Sequence, residues 1–107
     1  MERRRSKRKT VSLDAEIISG SMTCTGYIDN ISVNGMYMRT SPAQTSIDVT
    51  PGTIFEMKLH HVPGETLNLN CRVLWSYKNP PHGLTYNIGM EIIEPPQEYK
   101  AFIETLQ

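Results

Sequence analysis

Four arginines and two lysines stand within the first nine residues of this 107-residue chain: Arg3, Arg4, Arg5, Lys7, Arg8 and Lys9. Arginine's planar fork of donors suits bidentate contact with phosphate oxygens or with the O6/N7 edge of guanine. A tail that only solubilised the chain would have no reason to prefer it to lysine. The total charge hides this cluster. Eleven Lys+Arg balance eleven Asp+Glu, yet six of the positives face Glu2 alone in residues 1–9, which gives that segment +5 and leaves −5 on the remainder. A basic arm on an acidic body suits a compact, multiply charged anion and disfavours long nucleic acid.

The other reactive side chains point to less. His60 and His61 are neighbours in an alternating segment, so they face opposite ways and cannot chelate one ion, and His82 belongs to a separate loop. No metal site is expected, and the histidines read as surface residues near strand ends. The chain has no GxSxG elbow, no HExxH and no phosphate-cradling glycine loop, and its small size leaves little wall for an enclosed pocket. It reads as a non-enzyme with no catalytic residues and no cofactor. Cys24 and Cys71, far apart and without CxxC spacing, read as small buried hydrophobes, with a disulfide as the alternative. No apolar run reaches the roughly 18 residues of a spanning helix, and no apolar segment follows the basic start as a secretory signal requires. A cytoplasmic protein without membrane insertion is expected.

The elements that must position the arginines follow from periodicity. Val11, Leu13, Ala15 and Ile17 alternate with Ser12, Asp14 and Glu16, and after Gly20 the same pattern resumes through Met22, Cys24, Gly26 and Ile28. Asn34-Gly35 offers the positive φ angles of a tight turn before a third strand. Leu67, Leu69, Cys71, Val73, Trp75 and Tyr77 share one parity, which assigns Trp75 and Tyr77 to the core. Strands are predicted at about residues 11–18, 22–29, 36–40, 54–60, 66–77 and 85–93. After Pro95-Pro96 the period changes: Tyr99, Phe102, Ile103 and Leu106 describe an amphipathic helix over about 96–106. One all-β-dominated domain is implied, with a flexible arm at 1–10 and a small antiparallel barrel at 11–107 that the terminal helix plugs or flanks. Alternation alone also fits an OB-like barrel or a sandwich.

Two short motifs occur in order about twenty residues apart, on either side of one hairpin. Arg4-Arg5-Ser6-Lys7-Arg8 fits RxxxR, and Asn30-Ile31-Ser32-Val33-Asn34-Gly35 fits [D/N]xSxxG. Together they resemble the signature of the PilZ domain, the bacterial receptor module for cyclic di-GMP. Cys71-Arg72-Val73-Leu74-Trp75 and Asn87-Ile88-Gly89-Met90-Glu91-Ile92 resemble that family's fifth and sixth strands. Asn34 departs from the second glycine common there, although Asn tolerates the left-handed conformation.

The resemblance implies a six-stranded antiparallel, split β-barrel with a C-terminal α-helix, and a ligand of two phosphates and two guanines. It assigns forked donors to Arg4 and Arg8, polar contacts to Asn30 and Ser32, and close backbone approach to Gly35. Arg3, just before the first motif arginine, resembles members that bind an intercalated ligand dimer. Arg39 is either a further site residue or a surface charge. Because the motif begins near Met1, output is expected through an unidentified protein partner or self-association. Two alternatives remain at this point: a PilZ-like interaction adaptor without a nucleotide, and a small nucleic-acid-binding barrel using the arm and an aromatic face.

Overall fold

A computed structural model describes residues 8–41, 48–79 and 85–106. Arg3, Arg4 and His82 lie outside the described residues. The elements are β1 (Lys9–Ser19), β2 (Met22–Ile31), β3 (Gly35–Thr40), β4 (Ile54–Val62), β5 (Glu65–Lys78), β6 (Tyr86–Ile92) and α1 (Gln97–Glu104). Every neighbouring pair is antiparallel, and the order β1-β2-β3-β6-β5-β4 closes into a barrel. The last seam joins β1 to β4 through the pairs Asp14–His60 to Ile18–Glu56. Closure removes exposed sheet edges and lets every strand contribute one face to a shared core. The six-stranded antiparallel barrel and terminal helix read from alternation are what the chain forms.

The inward faces are those the period-2 pattern selects. Ala15, Ile17, Ile28, Met38, Phe55, Met57, Leu59, Leu69, Cys71, Val73 and Ile88 are all buried. Cys24 and Cys71 are buried free thiols, and desolvation pushes the Cys71 thiol up to about 12. Tight hairpins use the positive φ of Gly20 (63°) and Gly64 (83°), where a side chain would be strained.

The turn at Asn34-Gly35 is made differently from the sequence expectation. Neither residue has positive φ; among the described residues that conformation occurs at Gly20, Gly52, Gly64 and Glu94. Glycine is required at position 35 by proximity instead, since a Cβ there would sit 2.6 Å from the Met90 carbonyl oxygen of β6. The close approach is therefore to a neighbouring strand.

A second correction concerns β5. Its pairing with β6 slips between Val73, opposite Met90, and Trp75, opposite Gly89, so Leu74 is an extra residue in the ladder. A bulge of this kind flips the parity of everything beyond it. Trp75 and Tyr77, assigned to the core by parity, are consequently 46% and 55% exposed on the outside of the barrel.

The helix starts where Pro96 accepts the Tyr99 amide at 3.0 Å, and it buries Tyr99 completely within the barrel core. Phe102 meets the His61 ring edge-on, centroids 5.1 Å apart. Thus α1 covers the barrel end where the β2–β3 turn and the end of β4 lie. His61 is not a surface residue: its side chain is 10% exposed, with Nε2 3.4 Å from Glu65 Oε1.

Candidate functional site

Two bulges on facing strands build the candidate site. In β2, Ile28 pairs with Met38 and Asn30 with Tyr37, so Asp29 is the extra residue. Without it Asn30 would share the inward parity of Ile28; with it Ile31 turns into the core and Asn30 turns out. The Leu74 bulge does the same for Trp75. Register then lines up Asn30, Tyr37, Gly89 and Trp75 in one row across β2, β3, β6 and β5.

Gly89 is the low point of that row. A side chain there would collide with the Trp75 indole, which lies across the glycine. The indole reaches over it to Tyr37, with ring centroids 5.5 Å apart and planes at 34°. The result is an aromatic floor under a recess of about 390 Å³, walled by Arg8, Asn30, Met36, Leu74 and Met90.

Arg8, the described end of the basic segment, reaches this recess. The start of β1 pairs with the end of β2, Lys9 opposite Ile31 and Thr10 opposite Asn30. That pairing brings Arg8 to the row, where its Nη1 donates to Asn30 Oδ1 at 2.8 Å. Among the described residues its remaining donors make no further hydrogen bond, which suits them to meet an anion. One row further along, Arg39 is paired with Asp29, Nε to Oδ2 2.8 Å, and its side chain is 59% exposed. It therefore balances the carboxylate that the β2 bulge places beside Asn30.

Ser32 and Gly35 act from behind the recess. Ser32 is 4% exposed, and its Oγ accepts the amides of Asn34 (3.3 Å) and Gly35 (3.2 Å). Its own amide donates to the Gly35 carbonyl at 2.8 Å. The hydroxyl holds the turn in shape, and the turn holds Asn30 at the recess. The Ser32 carbonyl accepts the Tyr99 hydroxyl at 2.5 Å. Burial holds the Tyr99 phenol well above its usual range, assisted by the Cys71 thiol and opposed by the Arg8 charge.

Of the residues singled out by sequence, Arg8 and Asn30 meet in the recess, Ser32 and Gly35 shape the turn beneath it, and Arg3 and Arg4 lie outside the described residues. Sequence reasoning passed over Tyr37, Gly89 and Trp75. A signal was available in the unusually long alternation of residues 67–77, because a strand of that length in a small barrel must bend or bulge. Among the described residues no group of His, Cys, Asp and Glu is placed to hold a metal ion, and no helix is long and apolar enough to cross a membrane.

The architecture, a closed antiparallel barrel with its helix over one end, is shared with solved PilZ structures. The PilZ domain of YcgR from Escherichia coli, determined with c-di-GMP, superposes with a TM-score of 0.74 at 12% identity, covering 98% of this chain and 92% of that one. The Bacillus subtilis inhibitor of motility (MotI/DgrA) gives 0.75 at 16% identity, covering 99% and 50%. The Borreliella burgdorferi PlzA protein, in complex with c-di-GMP, gives 0.66 at 18%, covering 95% and 49%. The chain thus spans about half the length of the latter two. No curated protein matches it in sequence. The family model described as PilZ domain matches residues 2–106, and the chain belongs to that family.

Proposed function

We propose that this protein is a cytoplasmic, non-enzymatic receptor for cyclic di-GMP that signals to a protein partner by changing conformation. The observation that carries the reading is the row Asn30–Tyr37–Gly89–Trp75, which sets an aromatic floor beside the point where the basic arm joins the barrel. Family membership and the c-di-GMP complexes of YcgR and PlzA support it.

Each residue class then has a task. Arg4 and Arg8 bind phosphate oxygens or a guanine O6/N7 edge through forked donors. Asn30 offers a carbonyl and an amide to the guanine edge, and the Trp75–Tyr37 floor stacks its face. Ser32 and Gly35 contribute by fixing the turn. Arg3 adds the charge that would suit an intercalated ligand dimer, so calorimetry is expected to give two ligands per protomer; one per protomer would contradict that part. A micromolar affinity corresponds to about 8 kcal/mol. A bidentate Arg–guanine pair worth roughly 1–3 kcal/mol and a stacked base worth about 1–3 kcal/mol supply part of this against the entropic cost of association. The double substitution Arg4→Ala, Arg8→Ala is expected to abolish binding while the far-ultraviolet spectrum stays that of the folded barrel. Undiminished binding would refute the assignment.

One observation favours a second reading. The outward-facing Tyr27, Tyr37, Trp75 and Tyr77, with Arg39 among them, form the stacking face that a single-strand-binding barrel requires. The −5 of the chain beyond the arm opposes a long polyanion. Titration with short RNA over a salt series separates the two: a steep salt dependence over many phosphates belongs to RNA binding.

A further inference from the structure

The turn that carries Asn30 at its start is tied to β6, where the Asn34 carbonyl accepts the Ile92 amide at 2.8 Å, and it is held on two further sides. Toward the recess, Asn30 Oδ1 accepts Arg8. Toward the barrel end, the Ser32 carbonyl accepts the hydroxyl of Tyr99, which is wholly buried and is the one buried residue of α1. Ser32 ties these together, because its hydroxyl braces the Asn34 and Gly35 amides while its carbonyl meets the helix. A buried phenol or carbonyl left unpaired is costly, so the Tyr99–Ser32 bond couples the position of the helix to the turn.

The joint between α1 and the barrel is itself unusual. Glu94, between β6 and Pro95-Pro96, is a non-glycine residue at φ 48°. Such a conformation persists only while the contacts on either side enforce it. On one side the Ile93 amide is tied to the Asn70 carbonyl at 2.8 Å; on the other stands the docked helix. A joint at positive φ and a buried hydrogen bond to the turn tie the docking of α1 to the shape of the turn.

Resting on the nucleotide reading above, we propose that α1 is the output element of this receptor: occupancy of the recess alters the Asn30–Gly35 turn, and the Tyr99–Ser32 hydrogen bond passes that change to the helix. The outward face of α1, with Gln97, Glu98, Lys100, Ala101 and Glu104 exposed, is then the surface whose presentation changes with ligand. Neither the arm nor the aromatic floor needs to touch the partner.

Amide hydrogen exchange of the full chain tests this, with and without saturating cyclic di-GMP. In the native protein the ligand is expected to change exchange in residues 99–104 by at least about fivefold, the lower end of ordinary coupling between sites. Tyr99→Phe keeps the ring and removes the hydroxyl. It should bind ligand within about fivefold of the native Kd while its helix no longer responds. Phe102→Leu, which loosens helix packing without touching the turn, should retain the response. A helix that ignores bound ligand in the native chain, or that responds equally in Tyr99→Phe, overturns the proposal. The ligand-free proteins give a separate arm: Tyr99→Phe should speed exchange of the Asn34 and Gly35 amides relative to Phe102→Leu, and equal rates overturn the coupling. Failure of the native chain to bind cyclic di-GMP at all would instead refute the nucleotide reading, leaving this last comparison to decide the coupling alone.

Discussion

Trp75 is the residue on which the site turns, and it is the only tryptophan in the chain. Its indole lies across Gly89 against Tyr37, half-exposed beside Arg8 and Asn30. If a guanine stacks there, Trp75→Ala should weaken cyclic di-GMP binding by about 1–3 kcal/mol, roughly 5- to 150-fold in Kd, with little loss of stability. An unchanged Kd by calorimetry would remove Trp75 from the site. The meeting of Arg8 with the Asn30–Gly35 segment was legible from residue type and spacing because those positions are named by the side chains themselves. Trp75 was not, since one extra backbone residue at Leu74 decides which way it faces. Arg39, open at the sequence level, is a paired surface charge whose partner Asp29 is itself displaced by a bulge.

At the scale of elements, alternation named the strands and the core, because burial of one face is what period 2 records. It could not name the bulges in β2 and β5, which leave composition and parity intact up to the point where they act. Nor could it tell that Gly35 answers to a neighbouring carbonyl rather than to a turn angle, since both uses select the same residue. The bulges matter because they act as a pair across β3 and β6, and Gly89 of β6 gives them room to converge. Gly89→Ala should therefore leave a folded barrel, destabilised by about 1–3 kcal/mol through overpacking, with Trp75 forced off the row. Urea unfolding together with the Trp75 emission maximum checks this; an unmoved emission maximum at native stability would show that the notch is not needed. The same reasoning makes α1 more than a plug, since its one buried side chain ends on the turn of the motif.

For the molecule as a whole, the zero net charge divides into an arm of +5 and a body of −5, and the fold brings the end of that arm to an aromatic recess rather than to the open surface. The closed barrel also fixes how stability depends on pH. Burial raises the Cys71 thiol from 9.0 to about 12 and holds the Tyr99 phenol above its usual 10.0. Burial raises the Cys24 thiol above 9.0 as well. The folded chain thus keeps three protons that the unfolded chain releases, so the unfolded state binds fewer protons above about pH 9 and stability must fall as pH rises. The contribution of all three groups is fully present below that pH. The urea midpoint should decline from about pH 9 upward, and replacing both thiols, Cys24→Ala with Cys71→Ala, should delay the onset toward pH 10; a midpoint that rises over this range would contradict the burial of these groups. The most direct test of the receptor reading is a titration of the intact protein with cyclic di-GMP, followed by Trp75 fluorescence, with GTP and short RNA as controls. Saturable quenching at micromolar cyclic di-GMP, about 8 kcal/mol of binding, is expected, with neither control matching it. An emission that does not change on addition of cyclic di-GMP, or that short RNA quenches with equal affinity, would contradict it.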